Sequence, residues 1–175
     1  MIRVSFVGCG GMAAHYLGVY RDLAWVRVVN CIDAVPEAAR QAAESIPGAE
    51  ASTDFALALT DQIDAVIISS PNHLHKPQAV AAIEAGKHVL LQKPVAPNLP
   101  DAEAIAEAAG KSAVRFRTTV GLYMSYFDQP LIHDLRDMVR QGRLGEIVHG
   151  YARLMHKGGM MWSDAALKGD RNWRG

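Results

Sequence analysis

Residues 2–13 read Ile2-Arg3-Val4-Ser5-Phe6-Val7-Gly8-Cys9-Gly10-Gly11-Met12-Ala13. The first half of this stretch is apolar and rich in β-branched residues, which predicts a short strand. The second half fits the pattern G-x-G-x-x-A, and apolar residues then recur at helical spacing from Met12 to Leu23. The stretch therefore predicts a strand, a tight glycine turn and a helix.

The small residues of this loop each have a predicted task. Gly8 permits the tight turn, Gly10 lets the backbone approach a pyrophosphate, and Ala13 lets the helix pack closely on the strand. The pyrophosphate would lie on the free N–H groups of the helix N-terminus, near Gly11 and Met12. The pattern indicates a nucleotide-binding loop. Methyltransferases share this layout and bind an adenosyl group without a pyrophosphate, so they remain an alternative.

An acidic residue follows at the expected distance. Asp33 closes the second predicted strand, 20 residues beyond Ala13. A carboxylate at this position can accept hydrogen bonds from the adenosine ribose, and its charge would repel a 2′-phosphate, so we expect NAD to be preferred over NADP. Cys9 in the loop and Cys31 in the strand are interpreted as small buried fillers, with a redox-sensitive thiol as the alternative for Cys9.

Strand and helix patterns alternate along the first two thirds of the chain. Strands are predicted at 2–7, 26–32, 49–53, 65–69, 88–91 and 114–120, and helices at 12–23, 36–46, 54–59, 73–85 and 100–109. This alternation indicates βαβ crossovers and a doubly wound parallel α/β sheet over residues 1–121. Residues 122–175 show a helix at 131–139 and a strand-like run at 146–156. They are too few for a core of their own and are interpreted as the beginning of a second domain.

Two further polar loops follow predicted strands. Ser70, Pro71, Asn72 and His75 come after the fourth strand, and the segment Gln92-Lys93-Pro94 comes after the fifth. The carboxyl ends of parallel strands meet at the edge where open α/β folds bind ligands. We therefore expect these loops and the glycine loop to form one cleft.

Together these motifs resemble the Gfo/Idh/MocA oxidoreductase family. The resemblance rests on Gly8–Ala13, Ser70-Pro71-Asn72 with His75, Ala85–Val89 and Lys93-Pro94, and it extends to Gly142–Ile147. It implies a Rossmann domain that binds NAD or NADP through these loops, followed by the start of an α+β domain for substrate binding and oligomerisation. It also implies reversible hydride transfer at a secondary alcohol of a sugar, cyclitol or related small molecule.

The same resemblance assigns one candidate catalytic residue. Lys93 matches the lysine of the family's Glu-Lys-Pro motif, which implies that its ammonium binds the substrate oxygen and assists proton transfer. Gln92 stands where the family has glutamate, and its amide brings no charge to the cofactor ribose. The chain also ends before the place where the resemblance puts the family's Asp and His partners. An NAD-binding protein without turnover is therefore the alternative to an enzyme.

The composition of the chain argues against a nucleic-acid-binding, a metal-binding and a membrane protein. The 18 basic and 18 acidic residues balance, which argues against nucleic-acid binding. The two cysteines have no zinc-like spacing. His73 and His75 on the first turn of a helix do not share a face, and His88 lies beside a buried strand, so no metal site is expected. We also expect a cytoplasmic protein with no membrane partner, because there is no charged leader and no apolar run of about 18 residues.

Overall fold

The structure is a computed structural model that describes residues 1–118 and 130–151. The chain divides into two units, Met1–Val120 and Gly121–Gly175. The described strands are β1 Ile2–Val7, β2 Val26–Ile32, β3 Glu50–Ser52, β4 Ala65–Ile68, β5 His88–Leu91 and β6 Phe116–Thr118. The described α-helices are α1 Gly11–Arg21, α2 Pro36–Glu44, α3 Asn72–Glu84, α4 Leu99–Gly110 and α5 Pro130–Arg140. No helix in these parts of the chain has the length and apolar character needed to cross a membrane.

The six strands form one parallel sheet in the order β3-β2-β1-β4-β5-β6. The predicted doubly wound parallel α/β sheet is therefore confirmed. Strand order reverses between β1 and β4, and folds of this kind bind ligands in the crevice at such a switch point. The loops after β1, β2, β4 and β5 all leave the sheet at its carboxyl edge.

An apolar layer covers each face of this sheet. On one face α1 and α2 pack against β1 and β2, where Phe6, Ala13 and Cys31 have no exposed surface. On the other face α3 and α4 pack against β4 and β5, with Ile68 and Leu91 equally buried. Burying a large apolar side chain contributes about 1.5–3 kcal/mol, so these layers hold the strand ends in fixed positions.

The observed elements lie within a few residues of the predicted ones. The segment predicted as a short helix from Asp54 is a 3-10 helix, Phe55–Leu59, and the Asp54 side chain accepts a hydrogen bond from the Ala56 N–H at 2.9 Å. Of the strand predicted at 114–120, the structure forms Phe116–Thr118, and residues 119–120 lie outside the described residues.

The second unit contains helix α5, which ends as predicted at a glycine. Gly142 has a φ of +69°, and the N–H groups of Gly142 and Arg143 donate to the carbonyl oxygens of Val139 and Met138 at 3.0 and 2.9 Å. This is the hydrogen-bond pattern of a helix C-cap. The strand predicted at 146–156 is wrong for its described part, because residues 146–151 form no strand. A strand needs a ladder partner, and a strand-like run in the sequence does not supply one.

Candidate functional site

The glycine loop is fixed between two strand ends. The Gly8 N–H donates to the carbonyl oxygen of Ile32 at 2.8 Å, and the Ser69 hydroxyl donates to the Gly8 carbonyl oxygen at 2.6 Å. Gly8 has a φ of +88°, and a Cβ built there would lie 2.3 Å from the backbone nitrogen of Ser70. Only glycine combines this backbone conformation with so close an approach.

Asp33 ties the same loop to the end of β2. One carboxylate oxygen accepts the Cys9 N–H at 2.7 Å, and the other accepts the Val35 N–H at 2.8 Å. Each oxygen keeps capacity for a further hydrogen bond, because a carboxylate has about four acceptor positions. The half-buried Asp33 thus organises the loop and still presents negative charge at the carboxyl edge of the sheet.

The N-terminus of α1 provides backbone donors at the switch point. Its N-cap, Gly10, has no capping side chain among the residues that the structure describes. The first-turn N–H groups, from Gly11 to Ala13, have no intrahelical acceptors. A Cβ added at Gly10 or Gly11 would meet no atom within 4 Å, whereas Ala13 is fully buried against the sheet. This open cradle of N–H donors fits a pyrophosphate group.

The loop after β4 lies directly against the glycine loop. Ser70 is buried, and its hydroxyl donates to the side-chain oxygen of Gln78 at 2.5 Å. Pro71 is the N-cap of α3, and Asn72 is the first residue of that helix. Pro71 and Asn72 are partly exposed. The predicted residues of this loop therefore lie at the crevice, with Ser70 underneath.

The loop after β5 brings Gln92 and Lys93 to the same edge. The Gln92 N–H donates to the carbonyl oxygen of Ile68 at 2.8 Å. Gln92 as a whole is 5% exposed, and its side-chain oxygen accepts the Lys93 N–H at 2.8 Å. Lys93 is partly exposed, and the peptide bond between Lys93 and Pro94 is cis. Gln92 thus shapes the backbone that presents Lys93.

His75 joins the β4 and β5 loops from beneath. Its ring is fully buried, with Nε2 at 2.9 Å from the Ser70 carbonyl oxygen and Nδ1 at 2.8 Å from the Pro94 carbonyl oxygen. Carbonyl oxygens only accept hydrogen bonds, so a neutral ring donates to one of them and a doubly protonated ring donates to both. The ring therefore joins the β4 loop to the β5 loop. The predicted contact of His75 with a cofactor remains a prediction.

The two other histidines considered for a metal site do not lie beside His75. His88 begins β5, at the opposite edge of the sheet, and its Nδ1 accepts the Arg115 N–H at 2.9 Å. His73 is exposed on the first turn of α3. Among residues 1–118 and 130–151, no group of three or more His, Cys, Asp or Glu side chains could bind a metal ion. Residues 152–175 lie outside the described residues.

Sequence reasoning missed three supporting groups. Ser69 looked like the last residue of a strand, although serine at a strand end can donate to a neighbouring loop. Gln78 had no signal beyond being a polar residue on a helix. The Pro94 carbonyl has no signal in the sequence, because every residue carries that group.

Comparisons with known proteins agree with this geometry. Residues 2–120 match the model of an oxidoreductase family with an NAD-binding Rossmann fold. An inositol 2-dehydrogenase from Corynebacterium glutamicum is 35% identical over 150 residues, which cover 84% of this chain and 43% of that protein.

Two solved structures are similar as well. One is a 3-ketoreductase from Actinomadura kijaniata in complex with NADP, with a TM-score of 0.71 and 27% identity, covering 83% of this chain and 45% of that one. The other is a levoglucosan dehydrogenase in complex with NADH and levoglucosan, with a TM-score of 0.69 and 25% identity, covering 83% of this chain and 41% of that one. The chain thus spans less than half the length of the proteins it resembles.

Proposed function

We propose, because the chain belongs to the Gfo/Idh/MocA family of oxidoreductases, that it binds a nicotinamide dinucleotide and transfers a hydride to or from a secondary alcohol. The observation that supports this most is the uncapped N-terminus of α1 at the switch point, where Gly10 and Gly11 leave open space. The similar inositol and levoglucosan dehydrogenases favour a sugar or cyclitol as the substrate class. Residues 1–121 would form the cofactor domain, and residues 122–175 would begin the domain for substrate binding and self-association.

Each loop would have its own task in this reaction. The first-turn N–H groups of α1 would bind the pyrophosphate, and Asp33 would accept hydrogen bonds from the adenosine ribose. Pro71 and Asn72 would border the nicotinamide end, which supplies the site of hydride transfer when the cofactor is bound. Lys93 would hold the substrate oxygen and take up or return its proton. Gln92 would keep the Lys93 backbone in place through its 2.8 Å hydrogen bond.

Asp33 supports a preference for NAD over NADP within this proposal. Its carboxylate lies at the end of β2, and the next three residues, Ala34, Val35 and Pro36, carry no positive charge. A 2′-phosphate would meet like charge without a cation to compensate. The similar 3-ketoreductase binds NADP, so the preference rests on Asp33 alone.

Cofactor binding is tested by titrating the 175-residue chain with NADH and, separately, with NADPH while following nicotinamide fluorescence. We expect saturable NADH binding and at least about tenfold weaker NADPH binding, since a few kcal/mol of repulsion is ordinary at short range. Asp33→Asn keeps one acceptor oxygen, for the Cys9 N–H, and loses the hydrogen bond from the Val35 N–H. It should therefore narrow the difference between the NADH and NADPH affinities at a small cost in stability. Equal or tighter NADPH binding by the unaltered chain would remove Asp33 from this assignment.

A dinucleotide-binding protein without turnover is the second candidate, and Gln92 is the observation that favours it. The buried amide brings no negative charge beside Lys93. Incubating the chain with NAD and a panel of cyclitols and sugar alcohols, while following NADH absorbance, separates the two candidates. Alcohol-dependent NADH formation would support the dehydrogenase, and NADH binding without it would support the binder.

A further inference from the structure

The pairing of β1 with β2 contains an extra residue on β2. Val4 of β1 lies beside Val28, whereas the next residue of β1, Ser5, lies beside Asn30. Val29 is therefore passed over in the pairing, which makes it a β-bulge. On its other side β1 pairs with β4 in an unbroken register, so the irregularity belongs to β2.

The apolar layer under α1 and α2 shows the effect of this bulge. Val28 and Cys31 both belong to that layer, although they are an odd number of residues apart in the sequence. Side chains of a regular strand alternate between the two faces of the sheet, so such residues would lie on opposite faces. The bulge therefore turns each side chain of β2 after Val29 to the face that an unbroken strand would not give it.

A buried polar pair lies at the first position after the bulge. Ser5 has no exposed surface, and Asn30 is 6% exposed. The Ser5 hydroxyl donates a hydrogen bond across the two strands to the side-chain oxygen of Asn30. Burying a polar side chain is unfavourable unless it is hydrogen-bonded, so Ser5 and Asn30 favour the register in which they face each other. Apolar side chains tolerate a change of neighbour better than buried polar ones do.

The register after the bulge brings the end of β2 to the glycine loop. The Ile32 carbonyl oxygen accepts the Gly8 N–H at 2.8 Å. The Asp33 carboxylate accepts the Cys9 N–H at 2.7 Å. In the register that precedes the bulge, the residues of β2 after Val29 would each be shifted by one position against β1, and the Asp33 side chain would leave the face it now occupies. The Cys9 N–H would then lose its acceptor.

We propose that Ser5 and Asn30 are positioning residues that fix the bulge in β2 and thereby set the cofactor preference through Asp33. The inference rests on the proposed function, because it adds a determinant to the contact between Asp33 and the adenosine ribose. Both side chains are buried within the sheet, so they act on the cofactor through the backbone of β2 and not by touching it. Bulges beside binding sites commonly re-aim a side chain in this way.

An apolar replacement of the pair separates positioning from core packing. Leucine has the branched shape of asparagine, and alanine has the shape of serine without the hydroxyl. The double variant Ser5→Ala with Asn30→Leu therefore removes the hydrogen bond and leaves neither partner unpaired. Such a replacement is nearly neutral for stability when the shapes match, whereas each single variant leaves one buried polar group without its partner. We expect the double variant to be more stable than Asn30→Leu alone or Ser5→Ala alone.

Two measurements report on the position of Asp33. The ratio of the NADPH and NADH dissociation constants reports its charge at the adenosine ribose. Amide hydrogen exchange of Cys9, followed by NMR, reports the hydrogen bond from the Cys9 N–H to Asp33 without any cofactor. Ile105→Val is the matched control, because Ile105 is fully buried on α4 and the loss of one methyl group weakens the core without changing a polar pair.

We expect the double variant to lower the preference for NADH from at least about tenfold to less than about threefold. Exchange of the Cys9 amide should become at least about tenfold faster. Asp33→Asn, which narrows the preference in the unaltered chain, should have little further effect in the double variant, because the pair acts through Asp33. Ile105→Val should keep both the preference and the Cys9 protection.

The inference is overturned if a folded double variant keeps either the NADH preference or the Cys9 protection of the unaltered chain, because the pair would then only fill the core. It is equally overturned if Ile105→Val loses both to the same extent. Should the double variant not fold, Ser5→Ala alone removes a single oxygen atom and is judged by the same two measurements. Failure of the unaltered chain to bind NADH, or to prefer it, would instead contradict the proposed function, and Cys9 exchange would still show whether the pair positions Asp33.

Discussion

Replacing Gly8 with alanine tests the close contact between the glycine loop and the β4 loop. The new Cβ would lie 2.3 Å from the Ser70 nitrogen and 2.6 Å from the Ser69 carbonyl carbon, both of them backbone atoms. These separations are about 1 Å shorter than ordinary contact, so one loop must move, and overpacking of this kind costs about 1–3 kcal/mol. The φ of +88° adds about 1–2 kcal/mol for a residue with a Cβ. We expect Gly8→Ala to lower the free energy of unfolding by about 2–5 kcal/mol.

Substitutions at two other glycines separate the steric contribution from the backbone contribution to this loss of stability. Gly48 has a φ of +79° and open space around its Cβ position, so Gly48→Ala should cost only the backbone strain, about 1–2 kcal/mol. Gly10 has open space and no positive φ, so Gly10→Ala should cost less than about 1 kcal/mol of stability. Its added methyl group would nevertheless enter the pyrophosphate cradle and weaken NADH binding.

Urea unfolding and NADH titration of the three variants distinguish these effects. Gly8→Ala should lose both stability and NADH affinity, Gly48→Ala stability alone, and Gly10→Ala mainly affinity. If Gly8→Ala costs no more stability than Gly48→Ala, the glycine loop does not approach the β4 loop as closely as described. If Gly10→Ala binds NADH as well as the unaltered chain, the pyrophosphate does not lie on α1.

Three further substitutions examine the supports of the sheet edges. Hydrogen bonds from the Arg3 side chain and backbone lower the pKa of Asp64 to about 2, so the stabilisation by this carboxylate is present above pH 4 and is lost as the pH falls toward 2. Asp64→Asn should remove this part of the pH dependence, about 1 kcal/mol after solvent screening, because the Asp64 side chain is 35% exposed. Urea unfolding at pH 7 and pH 3 measures the difference. Gln92→Ala leaves the Lys93 N–H without its side-chain acceptor and should weaken NADH binding, whereas Gln92→Glu keeps an acceptor and should preserve or strengthen NADH binding. Unchanged NADH dissociation constants in both variants would show that this loop does not contact the cofactor. His75→Phe removes the two ring nitrogens that face the Ser70 and Pro94 carbonyl oxygens, at similar side-chain volume. It should cost about 1–3 kcal/mol for each hydrogen bond that is lost. An unchanged unfolding midpoint would show that the ring does not join the loops.

The sequence predicted the sheet well because its signals are local. Apolar strands, helical spacing and glycine stops all act within about ten residues, and the resulting elements lie close to the predicted bounds. The prediction for 146–156 lacked this support, because the β-branched residues Ile147 and Val148 favour an extended backbone and do not supply a partner strand. Both residues are exposed in the structure.

The positions of the candidate residues in the fold could be predicted from the sequence, and the hydrogen bonds between them could not. The glycine pattern, Asp33 and the two polar loops follow from spacing and from the positions of strand ends. The hydrogen bonds that fix them join residues 61 positions apart for Ser69 and Gly8, and 24 apart for Cys9 and Asp33. Such pairs have no periodicity, and half of each bond is a backbone group present in every residue.

Asp33 shows why this limit matters for the candidate site. From the sequence alone Asp33 was a carboxylate at the end of the second strand, and its spacing gave no sign that it also binds the Cys9 N–H. The parallel pairing of β1 with β2 sets Phe6 beside Cys31 and thereby returns the loop after β1 to the end of β2. The same pairing brings the Asp33 carboxylate to the Cys9 N–H, at 2.7 Å between nitrogen and oxygen. The carboxylate that would bind the adenosine ribose is in this way coupled to the backbone that would hold the pyrophosphate.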